Sequence, residues 1–161
     1  MQLGSTLIAI SNDARGWLKA WAGDFTDAEA VENHGAPANP LVWQLGHLAV
    51  TEDFVSGLFG GKTGVTTKEL QAICGSGCPT PTRDTRYASL TDLWTMLERT
   101  HANLLAVAEQ ASDADFERQP NQDNPFFKTL GQALYEAALH ENYHVGEIGT
   151  LRKALRKKRI G

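Results

Sequence analysis

The feature that most constrains the fold is a long segment without proline near the end of the chain, from Leu130 toward Lys158. Its apolar residues recur at steps of three and four, which places them on one face of an α-helix. Thr129 and Gln132 at its start have the spacing of a capping box. A single helix of this length would span roughly 40 Å at 1.5 Å per residue, so the rest of the chain has to pack along it.

Three earlier segments show the same helical periodicity, over residues 3–21, 40–59 and 90–110. Asn39 is the predicted N-cap of the second segment, with Pro40 as its first helical residue, and Ser89 is the predicted N-cap of the third. No segment alternates polar and apolar residues as a half-buried strand would. Four helices in 161 residues predict an all-α, four-helix bundle that forms one domain, 1–161.

A long connection, residues 61–88, separates the second and third predicted helices. It holds six glycine or proline residues and one short helical candidate at 67–73. Loops of this length in compact domains are usually functional or disordered, and we expect this one to cover a substrate pocket. Cys74 and Cys78 lie in it. No second cysteine pair completes a zinc site, so two free loop thiols are the favoured interpretation, with thiol chemistry as the alternative.

Three histidines are predicted to lie on inward faces of two helices. His140 and His144 are four residues apart in the last helix, so both imidazoles can reach one point. Burying imidazoles without partners would cost roughly 1–3 kcal/mol for each unmet polar group, whereas one divalent ion satisfies all three. Three neutral ligands also leave an ion at least one open position, as in catalytic zinc sites. The third histidine, His47, lies on the second helix. The predicted inward stripe of that helix consists of Trp43, His47, Val50, Phe54 and Leu58.

Three further residues are candidates for a fourth ligand or for a hydrogen-bond acceptor behind the histidines. His101 lies on the apolar face of the third predicted helix, and Glu136 and Glu147 lie one turn from the paired histidines. Ligand histidines commonly donate their second N–H to such an acceptor. We favour that supporting role, or a plain boundary position, for all three residues.

The segment from His140 to His144 also spells HExxH, the motif of zinc proteases in which the glutamate is the general base. The context argues against a protease. No histidine follows His144 to supply the third ligand, and no strand precedes the motif to hold a peptide. Glu141 is therefore only a weak catalytic candidate, and a metalloprotease is the least favoured alternative.

Charge and hydropathy argue against two classes of protein, those that bind nucleic acids and those that span membranes. The net charge of −4 argues against a nucleic-acid partner. Six basic residues between positions 152 and 159 are expected to complement the dipole of the last helix and keep the terminus soluble. No run approaches the roughly 18 apolar residues of a membrane span. We therefore expect no membrane partner and a cytoplasmic location.

Two stretches carry a resemblance to a known family. One is Asn-Pro-Leu-Val-Trp-Gln-Leu-Gly-His-Leu at residues 39–48, and the other is His-Glu-Asn-Tyr-His-Val-Gly-Glu-Ile at 140–148, followed by Leu151-Arg152. Together they resemble the DinB/YfiT-like superfamily of metalloenzymes. The resemblance implies a right-handed up-down-down-up bundle. It also implies a triad of His47, His140 and His144 that binds a divalent metal such as zinc or nickel.

The resemblance further implies a thiol-dependent S-transferase that uses a low-molecular-weight thiol such as bacillithiol or mycothiol. A metal ion can bind such a thiol and lower its pKa, which presents a thiolate near neutral pH. A metal-dependent hydrolase and a non-catalytic bundle that binds a small molecule or a partner are the alternatives. The expected partner is a small-molecule substrate, and the sequence leaves open whether the protein also forms a homodimer.

Overall fold

The computed structural model describes residues 3–82, 84–120, 124–158 and 160. All regular secondary structure in these ranges is helical, which confirms the predicted all-α bundle. The up-down-down-up order and the single domain stay predictions. The four long helices are α1 (Leu3–Ala22), α3 (Leu41–Leu58), α5 (Leu90–Gln110) and α7 (Leu130–Ala154). The three short helices are α2 (Asp27–Ala30), α4 (Lys68–Cys74) and α6 (Asp113–Glu117).

The long helices pack in two main pairs. α1 lies against α7 and α3 lies against α5, while α3 also contacts α7 and the short helix α4. Two apolar clusters fill the interior, one around Leu45 and Leu151 and the other around Leu104 and Leu134. None of the helices in the described ranges is long and apolar enough to cross a membrane.

Side-chain caps begin α5 and α7, as predicted. The Ser89 hydroxyl accepts from the Asp92 N–H at 3.0 Å, and the Thr129 hydroxyl accepts from the Gln132 N–H at 3.1 Å. The reciprocal half of the second capping box differs from the prediction, because the Gln132 side chain accepts from the Lys128 N–H at 2.8 Å. Both helix starts nevertheless lie where the sequence places them.

Helix α3 differs from its prediction in its first residue and in its buried face. Pro40 is the N-cap and makes no side-chain cap, so the assignment of Asn39 was wrong by one residue. α3 packs against α4, α5 and α7, and apolar residues therefore surround most of it, so periodicity could not single out one face. Of the predicted inward stripe, Phe54 is 45% exposed and the others are half-buried: Trp43, His47, Val50 and Leu58.

Helix α7 ends at Ala154 and does not continue to residue 158. Arg156 adopts a left-handed conformation, with φ of 55°, and the Lys157 N–H donates to the Arg152 carbonyl at 2.9 Å. This is the hydrogen-bond pattern of a Schellman cap, in which glycine is the usual left-handed residue. Because an arginine takes that position, the sequence carried no stop signal. Arg159 lies outside the described residues.

Arg152 is buried, although the sequence placed it among the exposed basic residues. Its guanidinium pairs with both carboxylate oxygens of Asp24. It also donates to the carbonyls of Trp21 at 2.8 Å and Lys158 at 2.9 Å. The side chain therefore ties the end of α7 to the end of α1, a role that charge patterning alone does not reveal.

This pairing predicts a pH-dependent contribution to stability. The hydrogen bonds from Arg152 lower the pKa of Asp24, so the contribution is present above about pH 4 and is lost as the pH falls. We expect Asp24→Asn to lower the free energy of unfolding by roughly 0.5–1 kcal/mol at pH 7, with a smaller difference at pH 3. Urea denaturation at both pH values measures it, with the exposed Asp13→Asn as control. A difference that is equal at both pH values contradicts the prediction.

Candidate metal centre

The imidazoles of His47, His140 and His144 converge between α3 and α7. The Nε2 atom of His140 lies 3.2 Å from Nε2 of His47 and 3.1 Å from Nε2 of His144. The three ligand atoms all lie within 4.8 Å of one another. Two ligands at 2.0–2.1 Å from one ion are about 2.9 Å apart at a right angle and about 3.4 Å apart in a tetrahedron. The spacing therefore fits the coordination sphere of a single divalent ion.

The outer nitrogens of two histidines face hydrogen-bond acceptors. Nδ1 of His47 donates to the carbonyl of Cys74 at 2.6 Å. Nδ1 of His144 lies 3.2 Å from Oε1 of Gln44 and 3.2 Å from Oε2 of Glu147. Because the facing atoms are acceptors, each Nδ1 carries the proton and each Nε2 keeps a free lone pair. Two of the three convergent nitrogens are thus ready to bind a metal.

The third histidine cannot satisfy both neighbours. A neutral His140 has at most one proton on Nε2, and it can donate that proton to His47 or to His144. The remaining close contact then sets one lone pair against another at little more than 3 Å. A cation among the three nitrogens would remove this conflict. The donor set therefore fits a bound divalent ion better than it fits an isolated hydrogen-bond network.

The three imidazoles are neutral near pH 7. Burial and the neighbouring histidines lower the pKa of His140 to about 4 and that of His144 to about 3. Burial also lowers the pKa of His47, against the opposing effect of its bond to the Cys74 carbonyl. Neutral imidazole is the form that coordinates metals. Protons would therefore compete weakly for this site at physiological pH.

The cluster lies at the edge of the bundle, where solvent can reach it. His144 is buried, but His47 and His140 are half-buried. The indole of Trp43 stacks on His47 with ring centroids 4.7 Å apart and an interplanar angle of 12°. Tyr143, which is 66% exposed, contacts the His144 ring edge to face. A ligand approaching from solvent would therefore meet aromatic rings beside the three nitrogens.

The connection between α3 and α5, residues 59–89, supplies part of the site through α4. Cys74 is the last residue of this helix, and its carbonyl holds His47. α4 docks on α3 at Gly46, where an added Cβ would lie 2.7 Å from the Cys74 sulfur and 3.2 Å from Leu70 Cδ1. Glycine at this position thus permits the close approach. Through α4 the connection supports His47 on its Nδ1 side, and the expectation that residues 61–88 cover a substrate pocket stays a prediction.

Both cysteines are free, as predicted, but only Cys78 lies in the loop itself. Cys74 is fully buried in α4 against the apolar cluster around Leu45. Burial raises the pKa of Cys74 to about 12. A thiol with such a pKa is a poor nucleophile near neutral pH.

The contact at Gly46 predicts a compensating pair of substitutions. Gly46→Ala should push α4 and its carbonyl away from His47 and weaken zinc binding about tenfold, the lower end of what losing such a supporting contact costs. Cys74→Ala in the same chain removes the sulfur and leaves 3.2 Å to Leu70 Cδ1, so affinity should recover. Competition with a zinc chelator measures both, with Cys74→Ala alone as control. Wild-type affinity in Gly46→Ala would refute the docking role of this glycine.

A second buried cluster brings Glu52, His101 and Glu141 within 4.8 Å of one another. Arg15 already occupies it. The guanidinium donates from Nε to Glu141 Oε1 at 2.5 Å and from Nη2 to Glu52 Oε1 at 2.8 Å. Nδ1 of His101 lies 2.7 Å from the same Glu52 oxygen. Because the carboxylates are paired with a protein cation, this cluster is an ionic network, and a metal ion would have to displace Arg15.

This network joins all four long helices. Its members come from α1 (Arg15), α3 (Glu52), α5 (His101) and α7 (Glu141). The Leu97 carbonyl also accepts from Arg15 at 3.2 Å. Sequence reasoning missed Arg15 and Glu52. One signal could have identified them, because a charged side chain that shares a helix face with core residues needs a partner. Arg15 comes three residues before Leu18, and Glu52 comes four residues after Leu48.

The structure separates the other predicted site residues. His101 and Glu141 lie in the ionic network, away from the convergent nitrogens of the histidine triad. Burial raises the pKa of the Glu141 carboxyl. Glu136 is half-buried on α7 and belongs to neither cluster. Glu147 lies behind His144, next to the nitrogen that faces away from the triad. Of these four residues, Glu147 alone contacts a triad histidine among the described contacts.

Fold and site together define a class of protein, a helical bundle whose inward histidines could hold one divalent ion. The chain belongs to the DinB superfamily, whose sequence profile matches residues 12–148. The resemblance seen in the two motifs is thereby confirmed. No curated protein and no solved structure matches the chain.

Proposed function

We propose that this protein is a divalent-metal enzyme whose ion is held by His47, His140 and His144. The observation that carries the proposal is the convergence of three neutral Nε2 atoms at spacings of 3.1 and 3.2 Å. Three protein ligands leave a zinc or nickel ion room for a further ligand, as in other catalytic sites. His47 and His140 are half-buried, so such a ligand could reach the cluster from solvent.

The reaction that we propose is transfer of a low-molecular-weight thiol to an electrophile. The thiolate sulfur would form a bond to the electrophilic carbon, the leaving group would depart with the electron pair of the broken bond, and the thiol proton would pass to solvent. A divalent ion supplies the lowered thiol pKa that this chemistry needs. The protein's own Cys74 is unsuited to the role, because burial raises its pKa to about 12. The thiol would therefore come from a cosubstrate.

Proteolysis by an HExxH mechanism has less support. That mechanism needs the glutamate as a general base beside the metal ligands. Glu141 is instead held by Arg15, with a 2.5 Å hydrogen bond, and is 3% exposed. To act as a base it would have to leave a buried ion pair, which is strongly unfavourable.

The test compares metal content and thiol dependence in one preparation. Protein reconstituted with zinc or nickel is mixed with a small-molecule thiol and a chromogenic aryl halide. We expect turnover that rises with thiol concentration and disappears when a chelator removes the metal. Cys78→Ser should retain turnover, because the thiol comes from solution. Turnover that continues unchanged without added thiol would move the assignment to hydrolysis, and a protein that retains no metal would refute the proposed centre.

A further inference from the structure

We infer that Gln44 is a positioning residue that sets the tautomer of His144 and thereby the affinity of the metal centre. Gln44 is fully buried on α3, one turn before His47. A buried amide in an apolar bundle requires partners for both its oxygen and its nitrogen. The inference rests on the proposed function, since it concerns the ion that His144 would bind.

The backbone before α3 determines which way the Gln44 amide faces. Its Nε2 donates to the Asn39 carbonyl at 2.8 Å, and its Oε1 lies 3.2 Å from His144 Nδ1. A carbonyl can only accept, so the amide nitrogen has to face Asn39. Turning the amide over would place two oxygens against each other. Oε1 is therefore held toward the imidazole.

The orientation of the amide then determines where the His144 proton resides. An oxygen facing Nδ1 requires that Nδ1 carry the hydrogen, which leaves Nε2 with its lone pair toward His140 and His47. The opposite tautomer would point an N–H into the triad, where it could not coordinate an ion. A chain of contacts from the Asn39 carbonyl through Gln44 thus prepares His144 as a ligand.

A second acceptor lies near the same nitrogen but does not replace Gln44. Oε2 of Glu147 is 3.2 Å from His144 Nδ1, yet among the described residues it has no hydrogen-bond partner. The Glu147 contact is a close approach without a hydrogen bond, whereas the Gln44 contact is a hydrogen bond. The single Nδ1 proton is therefore directed to the amide oxygen.

The experiment compares two variants with the wild type. Gln44→Met keeps the volume and removes the acceptor, and Gln132→Met is a matched control about three turns away on α7. Nitrogen-15 NMR of the metal-free proteins reports the His144 tautomer, and chelator competition reports the zinc affinity. For Gln44→Met we expect a mixture of tautomers and a 10- to 100-fold loss of affinity, the usual effect of removing such a partner. Gln132→Met should stay close to wild type.

The outcomes separate this inference from the proposed function. A wild-type protein without zinc affinity refutes the metal centre, while its NMR spectrum still tests the link between Gln44 and the tautomer. Wild-type affinity and an unchanged tautomer in Gln44→Met would overturn the inference. A loss of affinity in Gln44→Met with an unchanged tautomer would also overturn it, because Gln44 would then act through packing alone.

Discussion

Replacing Arg15 with methionine should lower the free energy of unfolding by about 3–5 kcal/mol, because it leaves buried carboxylates without a counter-charge. The Arg15 side chain is 4% exposed, and those of Glu52 and Glu141 are 6% and 3% exposed. Burial opposes the guanidinium charge, but the two carboxylates outweigh it and raise the Arg15 pKa. Methionine retains an apolar stem of similar length, so the loss of stability measures the removal of the guanidinium charge and its hydrogen bonds. Guanidinium chloride denaturation at pH 7 measures the change.

Two comparisons identify the cause of that loss. Lys19→Met removes a lysine that is 53% exposed and pairs with Glu98, and it should change stability by less than about 1 kcal/mol. Replacing Glu52 and Glu141 with glutamine in the Arg15→Met chain removes the stranded charges and should recover much of the lost stability. If Arg15→Met is no more harmful than Lys19→Met, the network is not a significant source of stability.

Replacing His140 with glutamine should weaken zinc binding by roughly 100- to 1000-fold. Apparent binding energies of about 10–16 kcal/mol for a structural zinc site with four ligands correspond to about 2.5–4 kcal/mol for each ligand. At a zinc concentration 1000 times the wild-type dissociation constant, the ion should stabilise the wild type by about 4 kcal/mol and the variant by roughly 0.4–1.4 kcal/mol. Thermal unfolding with and without zinc measures both values.

His34→Gln is the matched control for this substitution. His34 lies between α2 and α3, where its Nε2 contacts the Glu29 carbonyl at 2.7 Å, and it is not part of the histidine cluster. Zinc should stabilise this control as strongly as it stabilises the wild type. Equal stabilisation of His140→Gln by zinc would show that the ion binds elsewhere.

The long helices and the triad could be predicted because their determinants are local. Periodicity and caps locate α1, α5 and the start of α7, and a spacing of four residues brings His140 and His144 together on one turn. His47 was assigned to the site on a stripe that proved only half-buried. A half-buried position would nevertheless suit the proposed role of metal ligand, since an ion held there could meet a substrate from solvent.

The ionic network could not be predicted because its partners are distant in sequence. Arg15 and Glu52 are 37 positions apart, and Arg15 and Glu141 are 126 apart. No spacing rule connects side chains on four separate helices. The HExxH motif gives no sign of this network, because it suggests that Glu141 lies beside the metal ligands. Adjacent helical residues differ by about 100° in direction, so Glu141 points to Arg15 while His140 points to the other two histidines.

The convergence of α1, α3, α5 and α7 on Arg15 has a consequence for how the chain reaches its native state. The guanidinium and its carboxylates are all satisfied only when every long helix is docked. An intermediate with α1 detached would hold two acidic groups in an apolar interior with no counter-ion, so such species should be scarcely populated. Folding should therefore be a single cooperative transition. The amide protons of all four helices should then exchange with solvent through the same global opening.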